Sequence, residues 1–196
     1  HLPQDIIIGT NQSILDEVLS SFPEIREIEN KMEIISSEMA NNPNDTKKLK
    51  IPGDLQQRFD SIGGWTIDKK AKEILGGLGF TTDQFQRNLD TFSGGWRMRV
   101  ALAGILLQNP DVLFLDEPTN HLDLDATLWL ENFLVDWKGI LVMISHDREF
   151  LNKSVNHIVE IDRSKVILYN GNYSSFLKQR QIRIEQQQAS YSNQQD

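Results

Sequence analysis

The sequence predicts an α/β fold, a parallel sheet with flanking helices, joined to a helical subdomain and a protruding helical hairpin. Two apolar runs predict the sheet. Residues 112–115 (VLFL) and 140–144 (ILVMI) are continuous hydrophobic stretches of strand length, the pattern of parallel strands covered on both faces. Residues 124–137 between them read as a helix, so strand, helix and strand make a βαβ unit with a right-handed crossover. A different periodicity predicts the hairpin. Ile25, Ile28, Met32, Ile35 and Met39 recur at alternating steps of three and four, a short helical seam.

In chain order, Leu2-Pro3-Gln4 and the residues to Gly9 read as a strand exit and loop. Residues 13–39 carry the helical seam, with Pro23 marking a kink or a new helix start. Asn41 to Asp45 (NNPND) is a turn by composition. Leu55, Phe59 and Ile62 return as the second helix, and Lys47, Lys48 and Lys50 cluster near the tip. Residues 68–78 form an amphipathic helix with Ala71, Ile74, Leu75 and Leu78 on one face, closed by Gly76, Gly77 and Gly79. Those glycines follow a helix and lack a Lys-Ser/Thr pair, so they end a helix and do not cradle phosphate.

Residues 96–108 are rich in Ala and Leu, strong helix formers, and Asn109-Pro110 stops them. After the second apolar strand, Asp147 is placed to cap a helix at 148–153. Residues 157–161 and 166–169 are shorter strands joined by residues 162–165. Beyond Gly171 the chain turns helical and Gln-rich, with an apolar face too thin for full packing.

Composition narrows the function classes. The 196 residues are 39% hydrophobic and 24% charged, which suits one domain with an appendage. No apolar run approaches the ~18 residues of a membrane span, and no charged-then-apolar leader is present. The absence of cysteine excludes disulfides and thiolate metal sites and fits the cytosol. A net charge of −8 argues against a binder of nucleic acid over its whole surface, leaving only local contacts. The chain begins at His1, and a natural start farther upstream is expected.

The chemistry concentrates in residues 91–125, TFSGGWRMRVALAGILLQNPDVLFLDEPTNHLDLD. Ser93-Gly94-Gly95 opens a helix, where free N–H groups and close backbone approach favour an anion. Asp116 and Glu117 end a buried strand, at the carboxyl edge where ligands sit in open α/β sheets. His146 follows the second strand. Ser145, His146 and Asp147 are consecutive and so do not form a hydrolase triad. No G-x-x-x-x-G-K-[ST] phosphate loop occurs anywhere in the chain.

In order and spacing these motifs resemble the ABC ATPase family: signature loop, Walker B strand, catalytic glutamate, D-loop and switch histidine. The resemblance implies a partial ABC-type P-loop ATPase domain that works with ATP and Mg²⁺. It makes Glu117 the general base and gives His146 a γ-phosphate contact. Asp116 would hold Mg²⁺, with Gln4 of a Q-loop as a second water and Mg²⁺ contact. Ser93, Gly94 and Gly95 would meet the γ-phosphate of ATP held by the opposite domain, and Asp123, at the end of a D-loop crossing the dimer interface, would be a further nucleotide-binding residue. Phe92 and Trp96 depart from the commoner Leu and Gln. Trp96 followed by Arg97-Met98-Arg99, the hairpin arm, and Gly171 to Phe176 (GNYSSF) resemble the ABC-F branch, whose members are soluble tandem ATPases, many acting on the ribosome.

On that resemblance, residues 1–11 are the Q-loop region, 12–90 the helical subdomain with its arm, 91–172 the remaining ATPase core and 173–196 the start of an interdomain linker. The expected partners are a second ABC domain of the same protein and the ribosome, through rRNA and P-site tRNA, without membrane insertion and in the cytoplasm. Lys178, Arg180 and Arg183 supply local positive charge for phosphate contacts or form a solvated helix face. Entered after the P-loop, the isolated chain is expected not to hydrolyse ATP. Two other readings stand beside this one: the ATPase subunit of a membrane transporter, and a nonenzymatic fragment that docks or dimerises.

Overall fold

The computed structural model describes residues 12–41, 50–162 and 164–192. The chain forms two compact units, residues 1–111 with 121–127 and residues 112–120 with 128–196.

The first unit contains helices α1 (Ile14–Leu19), α2 (Pro23–Asn41), α3 (Lys50–Ser61), α4 (Gly64–Gly77) and α5 (Gly94–Gln108). Ser13 caps α1, its hydroxyl accepting from the Asp16 N–H at 3.1 Å and satisfying one of the donors a helix start leaves open. Pro23 begins a new helix, where its missing N–H costs nothing. The seam then packs α2 against α3: Ile25, Ile28 and Phe59 are buried together, flanked by Phe22, Met32, Leu55, Ile62 and Ile67. Arg58 bonds Glu24 across the pair at 2.6 and 2.9 Å, an exposed contact that adds little beside the apolar burial. The hairpin tip, with Lys47 and Lys48, lies outside the described residues, as do the side chains of Met39 and Lys50.

Helix α4 begins at Gly64, four residues before its amphipathic pattern does. Gly63 turns the chain at φ 71°, and Gly64 lies so close to the Phe59 ring that an added Cβ would stand 2.5 Å from it. The predicted face of α4 is fully buried at Ala71, Ile74, Leu75 and Leu78. Helix α5 packs on α1 and α4 and ends at Asn109, which takes the left-handed conformation that releases the chain.

In the second unit, β1 (Val112–Asp116) and β2 (Ile140–Ile144) pair in parallel, Val112 opposite Ile140 and Asp116 opposite Ile144. The chain passes through helix α6 (Leu124–Val135) between them. The expectation that these strands are covered on both faces needs correction. Leu113 and Leu115 are buried, whereas Phe114 is 59% exposed and Ile140, Val142 and Ile144 share the open face. Helix α7 (Arg148–Ser154) is capped by Asp147, whose carboxylate accepts from the Glu149 and Phe150 N–H groups at 3.0 Å each. Strands β3 (His157–Asp162) and β4 (Lys165–Asn170) form an antiparallel hairpin, with Ser164 at φ 63° in its turn.

The first turns of helix α8 (Tyr173–Ser192) are anchored in the second unit. Phe176 meets the Tyr169 ring edge-on at 5.0 Å, and the Ser174 N–H donates to Asn152 at 2.9 Å. Farther along, residues 185–189 are exposed, as the thin apolar face predicts. Among the described residues no helix is long and apolar enough to cross a membrane.

Candidate functional site

The second unit places Asp116, Glu117 and His146 together at the carboxyl end of the parallel strands. Asp116 is the last residue of β1, paired with Ile144, and its side chain is exposed. Among the described residues no group of three or more His, Asp or Glu side chains could hold a metal by itself. A Mg²⁺ ion shared with phosphates and water needs only one or two carboxylates, and the exposed Asp116 carboxylate at a rigid strand end fits that demand.

Glu117 has φ 47°, the left-handed region in which a non-glycine residue is uncommon and costs of the order of 1–3 kcal/mol. Two backbone bonds hold it there. Its N–H donates to the Ile144 carbonyl at 2.8 Å, extending the sheet by one residue, and its carbonyl accepts from the Asn120 N–H at 3.2 Å across Pro118-Thr119. The conformation separates the Glu117 side chain from that of Asp116 and turns it toward β2. One carboxylate oxygen accepts from the His146 N–H at 3.2 Å. The other is buried without a hydrogen-bond donor, and the imidazole Nε2 lies 3.3 Å from it. That contact becomes an ion pair when the ring is protonated. The Glu117 side chain is only 19% exposed, whereas His146 is 95% exposed. A half-buried carboxylate with one unpaired oxygen, beside an imidazole open to solvent, can accept a proton from a bound water.

In the first unit, Ser93 stands at the N-cap of α5 with extended backbone, yet its hydroxyl makes no bond to the helix. The hydroxyl and the first N–H groups of α5 are therefore not consumed by mutual capping. Gly94 faces open space, and a Cβ on Gly95 would meet the His121 ring at 3.7 Å. The turn before the helix is fixed from behind by Arg97, which donates to the Phe92 and Asp90 carbonyls at 2.9 Å each. Phe92 and Trp96, the two departures from the commoner signature, both pack edge-on against Phe80 at 5.7 and 4.9 Å.

Both Asp123 carboxylate oxygens are engaged within the fold. One accepts from the Ala126 N–H at 3.0 Å at the start of α6, the other from Arg99 at 3.0 Å. The Ala126 bond first, then Arg99, holds its carboxyl below the usual range. Gln4 lies outside the described residues.

Sequence reasoning missed Arg99 as a structural centre. Its signal was present: Arg99 stands at helical spacing from Leu102, Ala103 and Leu106, on the buried side of α5. Sequence reasoning also left Arg180 and Arg183 either as phosphate contacts or as a solvated face. Both instead turn toward Glu160, at 2.5 and 3.0 Å, while Lys178 remains exposed. Burial pushes the Glu160 carboxyl up, but bonds from Arg180 and Tyr169 and the charges of both arginines outweigh it and leave it lowered.

Comparison with known proteins agrees with these motifs. A family model described as ABC transporter matches residues 5–120, and a second of the same description matches residues 159–196. The chain is 43% identical over 185 residues to the probable ATP-binding protein YheS of Escherichia coli K12, covering 94% of this chain and 28% of that protein. It is 37% identical over 207 residues to ABC transporter F family member 3 of Arabidopsis thaliana, covering 98% of this chain and 29% of that one. It thus spans little more than a quarter of these curated relatives. A bacterial ABC transporter cassette solved as a dimer is similar at 25% identity and a TM-score of 0.44, over 53% of this chain and 46% of that chain.

Proposed function

The chain belongs to the ABC transporter family, with F-family members among its relatives, and on that premise we propose that it is part of a soluble, cytoplasmic ATPase of the ABC-F type. The parent protein binds and hydrolyses ATP to close two ATPase domains on each other and acts on the ribosome in translation. The observation that carries the hydrolytic reading is Glu117, held in the left-handed conformation with a buried carboxylate oxygen that no hydrogen bond satisfies. Glu117 takes the proton of the attacking water. His146 steadies that carboxylate and contacts the γ-phosphate. Asp116, with Gln4, would hold Mg²⁺, and the ion would supply positive charge against the phosphates. Ser93, Gly94 and Gly95 receive the γ-phosphate of ATP bound by the second domain, next to a D-loop ending at Asp123.

The translational reading is supported by the packed hairpin of α2 and α3 and by the rooted, outward-running α8, taken as an arm within residues 12–90 and a linker beginning at 173. Contact with rRNA or P-site tRNA then falls to parts beyond the α8 root, since Arg180 and Arg183 are engaged at Glu160. The 196-residue chain alone contains no Walker A lysine and does not turn over ATP.

Glu117→Gln in the parent protein tests the scheme: ATP stays bound, the closed form accumulates and co-sediments with ribosomes. Normal turnover by that variant would remove Glu117 as the base. Failure of the trapped form to bind ribosomes would leave the ATPase and remove the translational role.

A further inference from the structure

We propose that Arg99 is a positioning residue that locks the signature loop to the D-loop, so that the two motifs approach a nucleotide as one rigid piece. The inference rests on the ATPase reading above for its consequence, but its geometry stands independently. Arg99 lies on α5, six residues after Ser93, and its side chain is only 8% exposed. Its Nε donates to the His121 carbonyl at 2.7 Å. Its Nη1 donates to the Leu78 carbonyl and to the Asp123 carboxylate, both at 3.0 Å. The guanidinium plane covers the Trp96 ring at 4.3 Å. One cation thus joins the signature helix, the end of α4 and two residues of the D-loop.

The fork geometry requires arginine. Three acceptors from two segments are met by donors fixed in one plane, and the same plane stacks on an indole; a lysine ammonium matches neither feature. The acceptors depend on the cation in turn. The Leu78 carbonyl accepts in a buried position, and buried polar groups left unpaired are costly. Gly79 makes room: a Cβ there would stand 3.0 Å from Nη1 and obstruct the guanidinium. Trp96 has a matching role, since its ring is held between Phe80 and Arg99 and is directed away from a free surface role. With these contacts in place, a shift of His121 is transmitted to α5, at whose start the Ser93 hydroxyl and helix N–H groups stand uncommitted.

Two measurements test the lock with Arg99→Met, Arg99→Lys and Asp123→Asn. In the 196-residue chain, hydrogen exchange reads the amides of residues 121–123 and 94–96. We expect Arg99→Met to speed exchange at both segments by at least about tenfold, the scale of one charge-assisted bond of the three it removes, with Arg99→Lys between it and the wild type. Unchanged exchange at residues 121–123 in a folded Arg99→Met chain would overturn the proposal. In the parent protein carrying Glu117→Gln, ATP-driven closure is titrated. The lock requires the half-saturating ATP concentration to rise about tenfold in Arg99→Met, with partial recovery in Arg99→Lys. Mere loss of folded protein would reduce the amplitude and leave the midpoint in place, a result that overturns the positioning role. If Arg99→Met does not fold, Asp123→Asn must show the same two shifts at smaller size, and their absence counts against the lock. A Glu117→Gln parent that never closes with ATP rejects the ATPase reading, and the exchange result then decides the lock by itself.

Discussion

The surroundings of Arg99 and of Glu117 treat polar groups in opposite ways. Arg99 is a buried charge met by two carbonyls, a carboxylate and an aromatic face. Glu117 is a half-buried carboxylate with one oxygen lacking a donor, on a backbone in the left-handed region. Burial is thus a poor guide to role; satisfaction is a better one. A buried group with its bonds made holds the fold, whereas an unsatisfied group under backbone strain marks a place completed by something that binds.

The largest expected effect breaks this contrast at the Glu117 side. In the parent protein Glu117→Gln lowers turnover by at least about 10²-fold, the scale of a lost general base, while ATP binding persists. In the 196-residue chain the same substitution leaves urea stability nearly unchanged, because the His146 N–H still finds an acceptor. Arg99→Met should do the reverse in the chain and cost about 2 kcal/mol in urea unfolding, since it strips a charge-assisted bond from the buried Leu78 carbonyl. Equal losses of stability at the two positions would erase the distinction.

The same contrast explains what the sequence made legible. Apolar spacing located the seam of α2, the buried face of α4 and both parallel strands, because burial leaves a periodic trace. Motif order brought Asp116, Glu117 and His146 to one strand end, a grouping the structure retains. Spacing did not disclose that one face of β1 and β2 is open, because a continuous apolar run has the same letters whether one face or two are covered. The Arg99 fork was hidden because its partners are backbone carbonyls, which the sequence does not print. Glu160 was hidden because a carboxylate in a strand reads as a solvent-facing residue until the opposing arginines arrive from α8.

A smaller effect separates capping from chemistry in the loop around His146. Asp147 follows His146, yet its carboxylate is engaged by two helix N–H groups. Asp147→Ala should therefore lower stability by about 1 kcal/mol, the usual worth of an N-cap, measured by urea unfolding. A change well below a few tenths would show that α7 is held by Phe150 burial alone.

The smallest effect concerns the α8 root and is read by pH. Glu160 accepts from Tyr169 at 2.8 Å as well as from both arginines, and its carboxyl is lowered in the fold. A group whose folded pKa lies below its unfolded value stabilises the fold above the unfolded value. That contribution fades as pH falls from the ordinary glutamate range through the lowered one. Relative to the intrinsic amide rate, which itself falls with pH, hydrogen exchange over the first turns of α8 should accelerate across that acidic interval in the wild-type chain. In Glu160→Gln it should be faster at neutral pH and less dependent on acid, because the titrating group is gone and the arginines keep only a neutral acceptor. Arg180 and Glu160 are both partly open to solvent, so salt should weaken the contact in the same direction. A profile that is the same in the two proteins would mean that the Tyr169 and Phe176 rings, and not the ionic cluster, fix where α8 leaves the hairpin.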